Sequence, residues 1–408
     1  MAEDFVDQCA RSIRDGAEHD VLLRRADDAS YRGSTVGVGG MEMLNFGSCS
    51  YMALERREEL RRGVIDAVTT YGTQFPFAKP QLECPLYRDL EDALRAMTGG
   101  EIVVASSATL LHLAAVPALM RPGDAVVVDR LAHASLWMAL GQLANVPRDM
   151  VPHNDVAALE RKIAELSDRH TRVWYVLDGV YSMSGDFAPT TAIERLVAKF
   201  PKLHLYADDA HATSWIGRHG RGVTLDRIAD TSRSFVTLSL NKAFSAAGGA
   251  LVVPNADWRD RIRHAGAAMM FSGPIQPPML GAAVASARLH LTAEFAELQR
   301  ELQRRIARMR RLARERGIAV GTPHETPIVF IPCGEEASMY ALFHALGRRG
   351  FYLAPAIFPA VGVRKAGLRL TVSLHNEDAD MVRLLDVMRE EMNRIPAIVD
   401  HQAAMAAE

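Results

Sequence analysis

The 408-residue chain holds six lysines, Lys79, Lys162, Lys199, Lys202, Lys242 and Lys365. Only Lys242 follows a β-type apolar run and precedes a small-residue turn, in VTLSLNKAFSAAGG (236–249). A poorly solvated amine there, its pKa lowered, could form a Schiff base with a carbonyl. Taken alone, a strand-end lysine reaching solvent is the commoner arrangement, so the other strand ends have to decide. LHLYADDAHATS delivers Asp208, Asp209 and His211, and burying a carboxylate is costly unless it meets a cation. VWYVLDGVYSMSGD delivers Asp178 and Ser182, RLAHAS delivers His133, and the run to Lys242 passes Ser239. After EIVVA come Ser106, Ser107, Ala108 and Thr109, opening a helix whose N-terminal amides suit a phosphate. Serine and threonine are also common helix caps for purely structural reasons.

Gathered in one crevice, an amine, a carboxylate, hydroxyls, an imidazole and an anion-binding helix start match pyridoxal phosphate. That cofactor offers an aldehyde, a pyridine nitrogen, a phenolic oxygen, a phosphate and a flat ring. A metal held by Asp208, Asp209 and His211 is the rival, but it leaves Lys242 and the Ser/Thr cluster without a role.

The elements that must position these groups are legible. From 101 to about 254, runs such as EIVVAS, AVVVD, VWYVLDG, LHLYADDAH, SFVTLSL and GALVVP alternate with helical stretches at 107–120, 155–167 and 191–199. Near-continuous apolar strands between helices predict an α/β fold with a parallel-rich sheet covered on both faces. Ligands of such sheets bind at the carboxyl ends of the strands. Helices are expected over 1–30, 57–70, 88–99, 281–316, 336–349 and 377–394, and LRLTVSL (368–374) reads as a strand. The domain reading is an N-terminal helix and lead-in segment over 1–55, a large α/β domain over 56–285, a smaller α+β domain over 286–395 and a tail over 396–408.

Composition narrows the partners. Hydrophobic residues make up 49% and charged residues 24%, with a net charge of −2, so neither nucleic acid nor an anionic membrane is the expected partner. The four cysteines, Cys9, Cys49, Cys84 and Cys333, show no paired spacing and fit a reducing cytoplasm. No window has the ~18 unbroken apolar residues of a membrane span, and the N-terminus lacks the apolar core of a signal peptide.

The motifs DRLAHASL (129–136), GVYSMSGDFAP (179–189), DDAHATSWIGRHGRG (208–222), SLNKAFSAAGG (239–249) and LRLTVSLH (368–375) together carry a resemblance covering roughly residues 40–395. The sequence resembles the α-oxoamine synthases, pyridoxal-phosphate enzymes of the aspartate-aminotransferase fold, fold type I. The resemblance implies that Lys242 carries the cofactor and later moves protons, and that Asp208 binds the pyridine nitrogen. It places His211 and Ser182 near the phenolic oxygen and His133 against the ring face. Ser239 and the Ser107–Ala108–Thr109 loop would hold the phosphate, with Ser272 reaching it across a homodimer interface. Arg369 would pair with a substrate carboxylate, with Cys49 and Tyr51 of the CSYMA segment (49–53) beside the substrate. The implied activity is an acyltransferase reaction. An amino acid condenses with an acyl thioester, on CoA or a carrier protein, and loses CO₂ to give an α-amino ketone.

Departures from the family pattern gather where substrate is expected. Cys49 replaces an asparagine, Ser214 a glycine, Ser107–Ala108–Thr109 a Ser-Gly-aromatic loop and Tyr87 a histidine, while Ser-Gly stands at 272–273 for a Ser/Thr pair. The alternatives are another fold-type I reaction, such as transamination, and a non-catalytic homologue.

Overall fold

A computed structural model describes residues 4–407. Contacts divide the chain into two compact units: one takes the chain up to Ala53, Ser182–Asp186 and Arg300 onwards, the other Leu54–Tyr181 and Phe187–Gln299.

The second unit is built on seven strands in the spatial order Glu101–Ala105, Gly249–Val253, Ser234–Ser239, Leu203–Asp208, Val173–Asp178, Ala125–Asp129, Arg148–Val151. All neighbours are parallel except those of Gly249–Val253, which runs antiparallel to both strands beside it. Alternation along each strand feeds two cores. Ile102, Val104, Val127, Tyr175, Leu205 and Ala207 enter one, and Val103, Ala105, Val126, Trp174 and Tyr206 enter the other. The helix Ala108–Leu119 closes the second core with Leu111, Ala114, Ala115 and Leu119. Both faces are therefore dry, which is why the runs read as continuously apolar. The seventh strand, Arg148–Val151, was not foreseen: at the sheet edge only Val151 of the four is buried, so its residues carry no apolar signal.

In the first unit the strand Ala366–Thr371 lies between Ile328–Gly334 and Ala354–Ala356, antiparallel to both. The helices Glu336–Arg348 and Asp378–Asn393 accompany it, the latter started by a reciprocal capping box between Glu377 and Asp380. A second small sheet joins Thr35–Val38, Met41–Asn45 and Phe351–Tyr352.

Three helical expectations change. The helix expected over 1–30 spans Phe5–Glu18 within the described residues, and the chain beyond it turns through positive φ at Asp20, Leu23 and Ala29. The stretch 281–316 is two helices, Pro277–His290 and Ala293–Glu315, and the second begins where the Thr292 hydroxyl accepts the Phe295 N–H at 3.3 Å. The terminal residues read as a tail hold the helix Pro396–Ala407, anchored by buried Ile398 and by Gln402, which bonds Ala319 and Pro332. No helix among the described residues is long and apolar enough to cross a membrane.

Candidate active site

Asp208 ends its strand, and its side chain leaves on the same face as Tyr206, two residues earlier. One carboxylate oxygen receives the Ala210 N–H at 2.8 Å, and the other lies 3.0 Å from His112 Nε2. Burial works to raise the Asp208 pKa. The hydrogen bond and charge of His112, with the charges of Lys242 and His133, outweigh it and hold the carboxyl well below its usual range. Asp209 belongs elsewhere. Its two oxygens accept the Thr224 N–H and hydroxyl, both at 2.8 Å, and burial pushes its pKa up to about 7. The adjacent acids therefore do not share a ligand. Among the described residues no cluster of three or more His, Cys, Asp or Glu side chains could hold a metal ion.

Lys242 stands three residues beyond the strand Ser234–Ser239 and is half-buried. The backbone after it is locked: Asn241 Oδ1 accepts the Gly248 N–H at 2.9 Å, and the Ala246 N–H reaches Leu240 O at 2.8 Å. The Lys242 charge is felt by Asp178, Asp208 and His133. Asp178, buried at the end of the neighbouring strand, accepts the His133 N–H at 3.0 Å. Burial and the Asp208 charge push the Asp178 pKa well up. His133 Nδ1 accepts the Ser135 N–H at 3.3 Å, which places the ring's proton on Nε2 when it is neutral. Burial also lowers the His133 pKa, against the pull of Asp208. His211 is buried in the turn after Asp209, where its carbonyl accepts the Trp215 indole N–H at 2.6 Å.

At the helix start, Ser107 is the N-cap, its hydroxyl accepting the Leu110 N–H at 3.0 Å. Ala108 and Thr109 follow, where helix amides have no intrahelical acceptor. Gly249 lets its strand approach this turn: a Cβ there would lie 2.5 Å from Ala108 N. Ser239 Oγ accepts the Asn241 N–H at 3.3 Å. Ser272 Oγ lies 3.5 Å from Met269 O, beside Phe271, which is 87% exposed.

The remaining residues singled out in the sequence meet in the first unit. Arg369, only 8% exposed, donates to Ser182 O at 3.0 Å, and its other terminal nitrogen lies 3.1 Å from Cys49 Sγ. Tyr51 is fully buried beside Cys49. Burial, then Cys49, raises its pKa well above the usual tyrosine value, against the opposing charge of Arg369. Arg369 Nε is buried and has no hydrogen-bond partner among the described residues.

Sequence reasoning did not identify His112. Nothing in ATLLHLAAVPAL marks one polar residue in an apolar helix as the partner of a carboxylate 96 positions later.

The sheet topology with a lysine and an aspartate at neighbouring strand ends is that of the fold-type I transferases. The solved serine palmitoyltransferase from S. paucimobilis, with PLP and myriocin bound, superposes with a TM-score of 0.88 at 20% identity, over 97% of this chain and all of that one. In sequence, the chain matches the aminotransferase class I and II family over residues 77–386. It is 32% identical over 366 residues to the 8-amino-7-oxononanoate synthase of Geobacter sulfurreducens, covering 88% of this chain and 91% of that protein. It is 28% identical to the serine palmitoyltransferase of Bacteriovorax stolpii, covering 88% and 84%. The chain belongs to the aminotransferase class I and II family and, within it, to the α-oxoamine synthases.

Proposed function

We propose that this protein is a pyridoxal-phosphate-dependent acyltransferase that condenses an amino acid with an acyl thioester and releases CO₂ and the free thiol. The observation that carries the reading is Asp208, buried at the end of its strand with His112 Nε2 3.0 Å from its carboxylate, on the strand beside the one that leads to Lys242. The donor set fits the cofactor: a carboxylate for the ring nitrogen, an amine for the aldehyde, and a capped helix start for the phosphate. Bound there, the cofactor supplies an electron-withdrawing ring that stabilises negative charge on the carbon beside a substrate amine.

In this reading Lys242 holds the cofactor and moves the proton at the amino acid's α-carbon. Asp208 keeps the ring nitrogen protonated. The amides of Ser107, Ala108 and Thr109, with the hydroxyls of Ser239 and Ser272, hold the phosphate. His133 covers the ring face, and His211 and Ser182 support the phenolic oxygen. Arg369 takes the amino acid's carboxylate, with Cys49 and Tyr51 beside it. The working unit is a homodimer joined at the 271–278 segment, where exposed Phe271 supports a buried contact. Four free cysteines support a cytoplasmic setting.

The test is stoichiometric. Enzyme mixed with panels of amino acids and acyl thioesters should release thiol and CO₂ in equal amounts. A keto acid in place of both would make the protein an aminotransferase instead.

A further inference from the structure

We infer that Tyr206, His112 and Asp208 form a buried hydrogen-bond relay in which His112 is a positioning residue, holding Asp208 in place and anionic for the ring nitrogen of the cofactor. The inference rests on the placement of the cofactor at Asp208 proposed above.

The geometry is built by two elements. Tyr206 and Asp208 are i and i+2 on one strand, so their side chains share a face. His112, on the helix that covers that face, spans the two: Nδ1 lies 3.0 Å from the Tyr206 hydroxyl and Nε2 3.0 Å from Asp208 Oδ2. The rings of His112 and Tyr206 meet edge to face, with centroids 5.6 Å apart. His112 and Tyr206 are fully buried, so water does not compete for these bonds.

The direction of the relay follows from donor counts. An ionised carboxylate only accepts, so the nitrogen facing Asp208 carries a proton. When the imidazole is neutral, Nδ1 is the acceptor and the Tyr206 O–H donates to it. Burial raises the Tyr206 pKa well above the ordinary tyrosine value, so that proton stays on the phenol. The Ala210 N–H and the charges of Lys242 and His133 also act on Asp208, and Asp178, at the end of the neighbouring strand, feels the Asp208 charge. His112 reaches the carboxylate itself, with Nε2 3.0 Å from Oδ2. A charge-assisted bond of this kind fixes the direction in which the remaining lone pairs point as well as the charge.

The experiment starts with cofactor-free protein carrying ¹⁵N-labelled histidine and ¹³C-carboxyl-labelled aspartate. The His112 and Asp208 signals are assigned by their loss in His112→Gln and Asp208→Asn. The relay requires a proton on His112 Nε2 and an Asp208 carboxyl that titrates below the ordinary range. His112→Phe, which keeps an aromatic ring in the space, should raise the Asp208 titration and weaken cofactor binding by about tenfold or more. His112→Gln, whose amide can donate to the same oxygen, should restore most of both. A bare Nε2, or a His112→Phe protein with wild-type Asp208 titration and cofactor affinity, overturns the relay. If the relay signals stand while Asp208→Asn binds cofactor as tightly as wild type, the placement of the cofactor fails and the hydrogen-bond chain does not.

Discussion

Asp208 and Asp209 are neighbours in the chain with different partners, one facing His112 and the other Thr224. Asp208→Asn should therefore lower kcat by orders of magnitude, and Asp209→Asn by much less; steady-state kinetics on the two variants would show the reverse order if the strand register were wrong. Asp209 carries a pH signature as well. Its pKa in the folded protein is about 7, against an ordinary aspartate value of about 3.9. The folded state thus binds the extra proton, and the associated stability is full below about pH 4 and lost as pH rises through about 7. Melting temperatures across that window should show Asp209→Asn gaining on wild type as pH rises. A difference between the two that does not change with pH would contradict the shift. Arg369 is tested through substrate. A fork to a bound carboxylate contributes about 1.5 kcal/mol or more, so Arg369→Ala should weaken amino-acid binding by about tenfold, with little rescue by lysine. Spectral titration with the amino acid measures this, and unchanged dissociation constants would make Arg369 structural. Asp208 and Arg369 stand out as candidates in the sequence because their motifs are local. His112 escaped because its partners come from a strand that packs against it only in the fold.

At the scale of elements, the Ser107 turn joins a structural and a binding role. Its hydroxyl is already committed to the Leu110 N–H, so the group offered to a phosphate there is the backbone. Ser107→Ala should lower stability by about 1 kcal/mol through the lost cap and loosen the cofactor only as far as the helix start frays. Chemical denaturation alongside cofactor titration separates the two effects, and a large loss of affinity at unchanged stability would mean that the hydroxyl itself binds. Six of the seven strands of the large sheet, Glu101–Ala105 at the opposite edge from Arg148–Val151 included, were legible because almost every residue in them is buried. The edge strand Arg148–Val151 was not, because solvent permits polar residues there. Ser214 shows how a departure in sequence is absorbed. It stands at φ +78°, where the family pattern has glycine, and its hydroxyl bonds His290 Nε2 at 2.9 Å while its carbonyl accepts from Gln299 at 3.0 Å. Those bonds offset a backbone strain of roughly 1–3 kcal/mol, and they come from residues 76 and 85 positions away, beyond the reach of a local motif.

At the scale of the whole molecule, the proposed homodimer predicts complementation. Protomers carrying Lys242→Ala mixed with protomers carrying Ser272→Ala, each impaired alone, should recover part of the activity, because one site of each hybrid is then intact. No recovery despite demonstrated subunit exchange would remove Ser272 from its neighbour's site. The proposed reaction depends on one amine at the end of one strand, Lys242. Borohydride reduction of the native, cofactor-loaded protein locks a lysine–cofactor linkage, and peptide mass spectrometry then locates it among the six lysines. The cofactor-derived mass should fall on the peptide containing Lys242 and vanish in Lys242→Ala; its appearance on Lys79 or another lysine, or on none, would contradict the account.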